Sequence, residues 1–595
     1  MKPLFLLISA LFFAALPAGA AKPLSEVIER DADLVLAVHD VTDLRESWTE
    51  HPLAKQLEDA GLSGLFGALS GNAGERDDPA NPLTRVLEEE FNLTWQDLAE
   101  LFPGQVGGGI YNLSELLFGG AEEPDLVILA EFSGSAERLD ELMQIQFEHN
   151  ARAQKEVNPL IEHELVEETF MGETLYFDEV FDGERSYTED GFALVEGVFV
   201  LATPKERLRS AVESIKAGAD SPLAQTRGYR RFREERPAGA ATLYVNLEAM
   251  VPSLSAALKD PSKTGALAMF GASGPSMEAS LALPSLLGFG FDLELTEQGA
   301  ASHTALLFRE KAGLSKLLAY SRVGLPPAPY VPENILSSTV TNFDLSVMFA
   351  ELESILTSAS PSAAPLLDLQ LQNMKSQTGV DLRSAILENF GPEMVTLSVL
   401  PDRGPQSVEQ LLQEEVYVIR IKDAASLSGA LEALKDQVPG LRAQIEVREF
   451  RGQTIHRFKS AQESASAGAI APEVSYAVTR SHLLVAVGRI ALLQEVLAGM
   501  EAGGEGFWQS PEVEEMFRRI RRSDSVARSY FDLSQAVGPA LQSLTAFMAL
   551  AGSNQGRDVE LPDDFEFPYL LISDMNETED GFFSRSLLIS KEVGE

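Results

Sequence analysis

Phe170-Met171-Gly172-Glu173-Thr174-Leu175 returns 280 positions later as Phe450-Arg451-Gly452-Gln453-Thr454-Ile455. In both places a Gly stands between two strand-like runs, the pattern of a tight hairpin that needs a residue at positive φ. Other matches keep the same order. Thr296-Glu297-Gln298-Gly299 returns as Thr578-Glu579-Asp580-Gly581, and Asp43-Leu44 as Asp344-Leu345. Asp97-Leu98 before Phe102-Pro103-Gly104 returns as Asp381-Leu382 before Phe390-Gly391-Pro392, and Tyr244-Val245-Asn246-Leu247 as Tyr530-Phe531-Asp532-Leu533. Each match alone is weak. Their shared order and near-constant spacing identify an internal repeat. The chain therefore reads as an export signal (1–20) and two homologous tandem units (21–328 and 329–595), joined near Leu325-Pro326-Pro327-Ala328-Pro329.

Each unit carries the same grammar. A strand (Leu34 to Val41; Ile335 to Phe343) precedes a helix beginning near Asp43 or Asp344. In the first unit Thr94 and Asp97 then form a capping-box pattern. An apolar strand follows (Leu126 to Ala130; Val416 to Ile421). Next comes a helix marked by Leu139, Leu142 and Met143, or by Leu427, Leu431 and Leu434. Hairpins turn at Gly172 and Gly452, at Glu196-Gly197 and Arg480-Ser481, and finally at Gly299 and Gly581. Strands joined by tight turns, with helices in groups, predict α+β units with mostly antiparallel sheets.

Composition narrows the function by exclusion. The 595 residues hold 47 Lys+Arg against 90 Asp+Glu, a net charge of -43, with no Cys and 7 His. Lack of Cys removes disulfide scaffolds, thiolate metal sites and Cys nucleophiles. Such an acidic balance opposes nucleic-acid binding, which needs a basic surface. Lys2, the apolar run Leu4 to Leu16 and the small residues Pro17-Ala18-Gly19-Ala20 predict an export signal cut before Ala21. About 13 apolar residues are too few to span a bilayer. No Cys follows them to take a lipid, so the expectation is a soluble periplasmic or secreted protein. Between Lys263 and Asp292 the only charge is Glu278. This stretch reads as a core helix plus a buried strand, or as an apolar contact patch at Leu267, Met269 and Phe270.

The opening strand with its acids (Asp31-Ala32-Asp33, then Asp43-Leu44) is one of four features that carry a resemblance. The others are Thr378-Gly379-Val380-Asp381-Leu382 before Gly391, the Tyr476-Ala477-Val478 hairpin and the Thr-Glu-Xaa-Gly turns. Together they resemble secreted bacterial proteins of the domain-of-unknown-function family 3352. The resemblance implies an exported α+β protein with no assigned activity.

Direct searches for chemistry return little. No Gly-Xaa-Ser-Xaa-Gly elbow, Ser-Xaa-Xaa-Lys pair, P-loop or dinucleotide fingerprint occurs; Gly107-Gly108-Gly109 lacks the third spaced Gly. His163-Glu164-Leu165-Val166-Glu167 has Glu where a zinc-protease helix needs its second His, and reads as a solvated strand edge. His39, His51, His456 and His482 have no second His at ligand spacing. Asp178-Glu179 with Asp182-Gly183-Glu184, and Asp574-Met575-Asn576-Glu577, read as solvated turns rather than Ca²⁺ loops.

One basic feature is duplicated. Tyr229-Arg230-Arg231-Phe232-Arg233 matches Phe517-Arg518-Arg519-Ile520-Arg521, after Ser221-Pro222 and Ser510-Pro511, which both look like helix starts with Pro at the first position. Arg230, Arg231, Arg233, Arg518, Arg519 and Arg521 are thus candidates for anion binding; pairing with the abundant carboxylates is the competing expectation. The reading is a non-enzymatic exported binding protein, without cofactor, metal or catalytic residues, whose partner is a protein or lipid of the envelope. An uncharacterised hydrolase using carboxylates between the units is the alternative.

Overall fold

The computed structural model describes residues 23–59, 93–235 except 119 and 122, 239–260, 274–360 except 298, 363–400, 414–437, 440–458, 473–537 except 523, and 567–591. The apolar patch expected at Leu267, Met269 and Phe270 lies outside the described residues.

The chain divides into two compact units that interleave along the sequence. One takes the chain up to Leu254 and Leu286–Phe308; the other takes Ser255–Ser285 and the chain from Arg309. In the first, ten strands are described: β1 (Leu34–Val38), β2 (Val106–Ile110), β3 (Leu126–Glu131), β4 (Glu162–Phe170), β5 (Glu173–Phe181), β6 (Ser186–Val195), β7 (Val198–Thr203), β8 (Ala241–Val245), β9 (Leu286–Thr296) and β10 (Gly299–Phe308). They form an antiparallel sheet in the order β4-β5-β6-β7-β3-β2-β1-β8-β9-β10.

The second unit has β11 (Ser337–Asn342), β12 (Phe390–Ser398), β13 (Glu415–Ile421), β14 (Ile445–Phe450), β15 (Gln453–Phe458), β16 (Val474–Val478), β17 (His482–Val487), β18 (Ser525–Asp532), β19 (Tyr569–Glu577) and β20 (Gly581–Ser590). Their order is β14-β15-β16-β17-β13-β12-β11-β18-β19-β20, again antiparallel and strand for strand that of the first unit. The fold is α+β.

Local chemistry accounts for the turns and caps. Met171 and Gly172 both have positive φ (51° and 87°), as do Arg451 and Gly452 (49° and 75°), the geometry of two-residue hairpin turns. On the far side of these strands, between β5 and β6 and between β15 and β16, equivalent partners stack: Tyr176 on Phe192 at 4.9 Å between centroids, and His456 on Tyr476 at 4.7 Å.

Helices of the first unit include α1 (Val41–Thr49), α2 (Trp95–Leu101), α3 (Ala136–Val157), α4 (Lys205–Ala217) and α5 (Arg227–Glu235). Asp40 caps α1, and Thr94 with Asp97 completes the expected capping box on α2. Leu139, Leu142 and Met143 of α3 join Val106, Ile128, Phe192, Phe199 and Leu201 in one core. Burial of side chains this size is worth about 1.5–3 kcal/mol each. In the second unit lie α6 (Gly274–Leu281), α7 (Leu345–Ala359), α8 (Ala363–Thr378), α9 (Ala424–Gln437), α10 (Ile490–Ala502) and α11 (Pro511–Arg518). Asp344 caps α7 through the Ser346 and Val347 amides.

Two local expectations change. Pro222 precedes a 3₁₀ turn, Leu223–Gln225, rather than opening α5; Thr226 accepts from the Tyr229 amide at 3.4 Å instead. In the second unit the turn is Phe507–Gln509, and Ser510 caps α11 with Pro511 at its first position. Turn and cap therefore align Tyr229 with Val513, not Phe517. The sequence match followed the arginines and was displaced by about one helical turn. Arg519 and Arg521 fall beyond the end of α11.

Candidate functional site

The buried stripe of α3 begins apolar at Leu139, Leu142 and Met143 and continues with two amides, Gln146 and Asn150. Beneath the polar end lie His163 on β4, Asp178 on β5, and Glu189 and Asp190 on β6. A β-bulge brings the last two together. Phe177 pairs with Gly191 and Glu179 with Thr188, so Asp178 alone opposes both Glu189 and Asp190. In a regular strand adjacent residues face opposite sides. Here Glu189 accepts a hydrogen bond from Gln154 of α3, while Asp190 lines a cavity with Gln146, Asn150 and Asp178.

His163 Nδ1 lies 2.9 Å from Asp178 Oδ1 and 3.1 Å from Oδ2, with the two side chains 2% and 4% exposed. His163 Nε2 and Gln146 Oε1 are buried without a hydrogen-bond partner. Burial, and then the negative Asp178 and Glu189, push Asp190 up to about 7. Asp178 is raised as well, mainly by burial and against the opposing pull of His163. The cavity holds about 20 Å³, room for one water or ion. These positions correct the solvated readings. His163 does sit on an edge strand, but α3 covers its ring, and Asp178 belongs to the strand rather than the turn. Asp182 alone caps that turn, accepting from the Glu184 and Arg185 amides.

The second polar arrangement is duplicated. Asp292 on β9, 4% exposed at its side chain, accepts from Arg233 Nη1 at 2.6 Å and from the Thr242 hydroxyl. Asp574, fully buried at the matching place on β19, accepts from Arg528 Nε at 2.8 Å and from Ser525 Oγ. It is not a solvated turn. His39 Nε2 lies 2.6 Å from Thr242 Oγ1, and its pKa falls to about 4 through burial and then the Arg233 charge. This is not a nucleophile triad. Asp292 bonds to Thr242 and Arg233 rather than orienting His39, and the Thr242 hydroxyl is buried.

The candidate anion-binding arginines are mostly engaged. Arg231 pairs with Glu235 at 2.8 Å, Arg233 with Asp292, and Arg518 with Glu515. Arg230 is exposed, and the Arg519 carbonyl accepts from Arg585 at 3.3 Å. The third notable surface is apolar. Adjacent helices α7 and α8 leave Val347, Leu352, Leu356, Leu366 and Leu369 exposed, Leu366 by 61%, while Ile355 is buried. No described helix is long and apolar enough to cross a membrane.

No family model matches the chain, and no curated protein matches it. Among solved structures, crystal form I of TP0453 aligns with 49% of this chain and 80% of its own, at 10% identity and a TM-score of 0.21. Crystal form IV of TP0453 aligns with 48% and 81%, at 9% identity and the same TM-score. Overlap this slight carries no argument about fold or function.

Proposed function

We propose that the protein is an exported, non-enzymatic binding protein, periplasmic or secreted, of the kind represented by family 3352, built by duplication of one α+β unit. The exposed leucines of α7 and α8 carry this reading. Clustered large apolar side chains on neighbouring helices are unusual on a free surface and mark an interaction site. The shared strand order and the paired Asp292 and Asp574 clusters support the duplication. Cavities of about 10 and 20 Å³ suit a water or an ion, not an organic substrate. The partner is an apolar protein or lipid of the envelope; at a net charge of -43, anionic lipid headgroups are repelled.

The test is affinity capture from envelope extract with mature protein, whose intact mass should begin near Ala21, in wild-type and Leu356→Asp/Leu366→Asp forms. Both side chains are already solvated, so the melting temperature should move little while capture of protein or lipid is lost. Undiminished capture by the folded double variant would refute the reading.

A further inference from the structure

The molecule satisfies its buried carboxylates with donors in most places. Asp292 and Asp574 have arginines and hydroxyls; Asp33 accepts from the amide and hydroxyl of Ser114 at 3.0 and 2.9 Å. Arg207 collects Glu29, Asp31 and Asp125 at 3.0–3.1 Å above the ring of Tyr111. The cluster under α3 is built differently. It gathers carboxylates around one imidazole and an amide oxygen. Gln146, itself only 4% exposed, turns its Nε2 to Asn150 and leaves Oε1 in the shared cavity without a donor.

We propose that His163, Asp178 and Glu189 bind a divalent transition-metal ion, of the zinc class, beside the cavity that Asp178 lines with Gln146 and Asp190. One donor atom from each of the three lies within 4.8 Å of the others, the group of metal-ligating side chains found at such range among the described residues. A cation would satisfy two things at once: an excess of buried negative charge and lone pairs that meet no hydrogen. The donor set selects the ion. Imidazole nitrogen with carboxylate oxygens suits zinc and its neighbours, whereas Ca²⁺ takes six to eight oxygens. Zinc bonds of about 2.0–2.1 Å would draw the three donors together by roughly 1 Å. Glu189 is the mobile arm for that closure, since it reaches the site through a long side chain held by Gln154.

The bulge gives the site its sequence logic. Without the extra residue in β6, Glu189 and Asp190 would face opposite sides of the sheet and only one could approach Asp178. The second unit does not repeat these ligands. On the shift of 280 that pairs Gly172 with Gly452, His163 falls on Ala443 and Asp178 on Phe458, neither of which can ligate a metal through its side chain.

The experiment uses full-length mature protein stripped with a chelator, titrated with Zn²⁺ by calorimetry, and analysed for bound zinc after dialysis. Wild type should retain one equivalent and melt at a higher temperature with zinc than without. Glu189→Gln keeps the side-chain size and should weaken binding by about tenfold or more. Glu179→Gln, next to Asp178 on β5 but facing Lys205 on the other side of the sheet, should bind as wild type does. Asp178→Asn should also lose zinc; if it fails to fold, Glu189→Gln decides. A wild type that retains no zinc, or a Glu189→Gln form that binds as tightly as wild type, overturns the proposal.

Discussion

Replacing Arg233 by Met removes the guanidinium from a buried carboxylate without emptying the space its stem occupies. Asp292 loses a donor at 2.6 Å, Thr242 another at 2.6 Å, and the Tyr229 hydroxyl loses contacts at 3.2 and 3.3 Å. Arg233 also lies 4.9 and 5.1 Å from the ring centroids of Phe232 and Tyr229. Breaking a buried ion pair from one side typically costs about 3–5 kcal/mol, and that is the expected loss at pH 7.5. The loss should shrink at pH 5. Arg233 is the second cause, after burial, of the low His39 pKa of about 4. Without it His39 can take a proton close to Asp292, so the variant binds a proton that the wild-type fold refuses.

Urea unfolding followed by circular dichroism measures both values. Arg528→Met, acting on Asp574 in the second unit, identifies which transition belongs to which unit. Arg233→Met/Asp292→Leu should recover most of the stability, because an apolar pair can replace a buried ion pair at little cost. A single-variant loss below about 1 kcal/mol, or a double variant with the losses simply added, would refute this account of the cluster.

Two further outcomes follow from the same region. Gly290 lies under α5, where an added Cβ would stand 2.5 Å from the Phe232 ring. Gly290→Ala should therefore cost about 1–3 kcal/mol by overpacking, and an unchanged urea midpoint would show that helix and sheet are not so close. In the wild type His39 should make stability pH-dependent. Its folded pKa lies below the unfolded value near 6.5, so its contribution is complete above that value and is lost as pH falls toward 4. The loss amounts to at most about 3.4 kcal/mol, and His39→Gln should flatten that slope in the pH profile of unfolding.

The parts of the fold written in short stretches were legible. Gly172 and Gly452 mark turns that need positive φ, and Thr94 with Asp97 three residues on announces a helix start. The strand order common to the two units was legible because hairpin turns tolerate little change. The site under α3 was not. Whether His163 is wet depends on a helix packed across its strand, and whether Glu189 and Asp190 share a face depends on a register slip that no local pattern announces. One signal was available: the α3 stripe places Gln146 and Asn150 where apolar residues were due, which implies polar company below. The arginine match failed for the opposite reason. Arginines on a helix surface are interchangeable in position, whereas the cap at Ser510 and the turn before it fix the register.

The position of β1 at the centre of its sheet bears on when the chain can fold. β4 to β7 are successive hairpins and can pair as soon as they are made. β1 pairs early with β2 on one edge, but its other edge waits for β8, with Leu34 opposite Val245; β11 likewise pairs with β12 and waits for β18, with Ser337 opposite Phe531. Closing loops of roughly 200 residues is slow and carries an entropy penalty that nearby contacts do not offset in advance. A nascent chain therefore leaves one edge of β1, and of β11, without its strand partner until nearly the whole unit has been synthesised. Under the export proposed above that delay would be useful: a secretion channel that admits unfolded polypeptide receives the N-terminal strand long before its last partner exists.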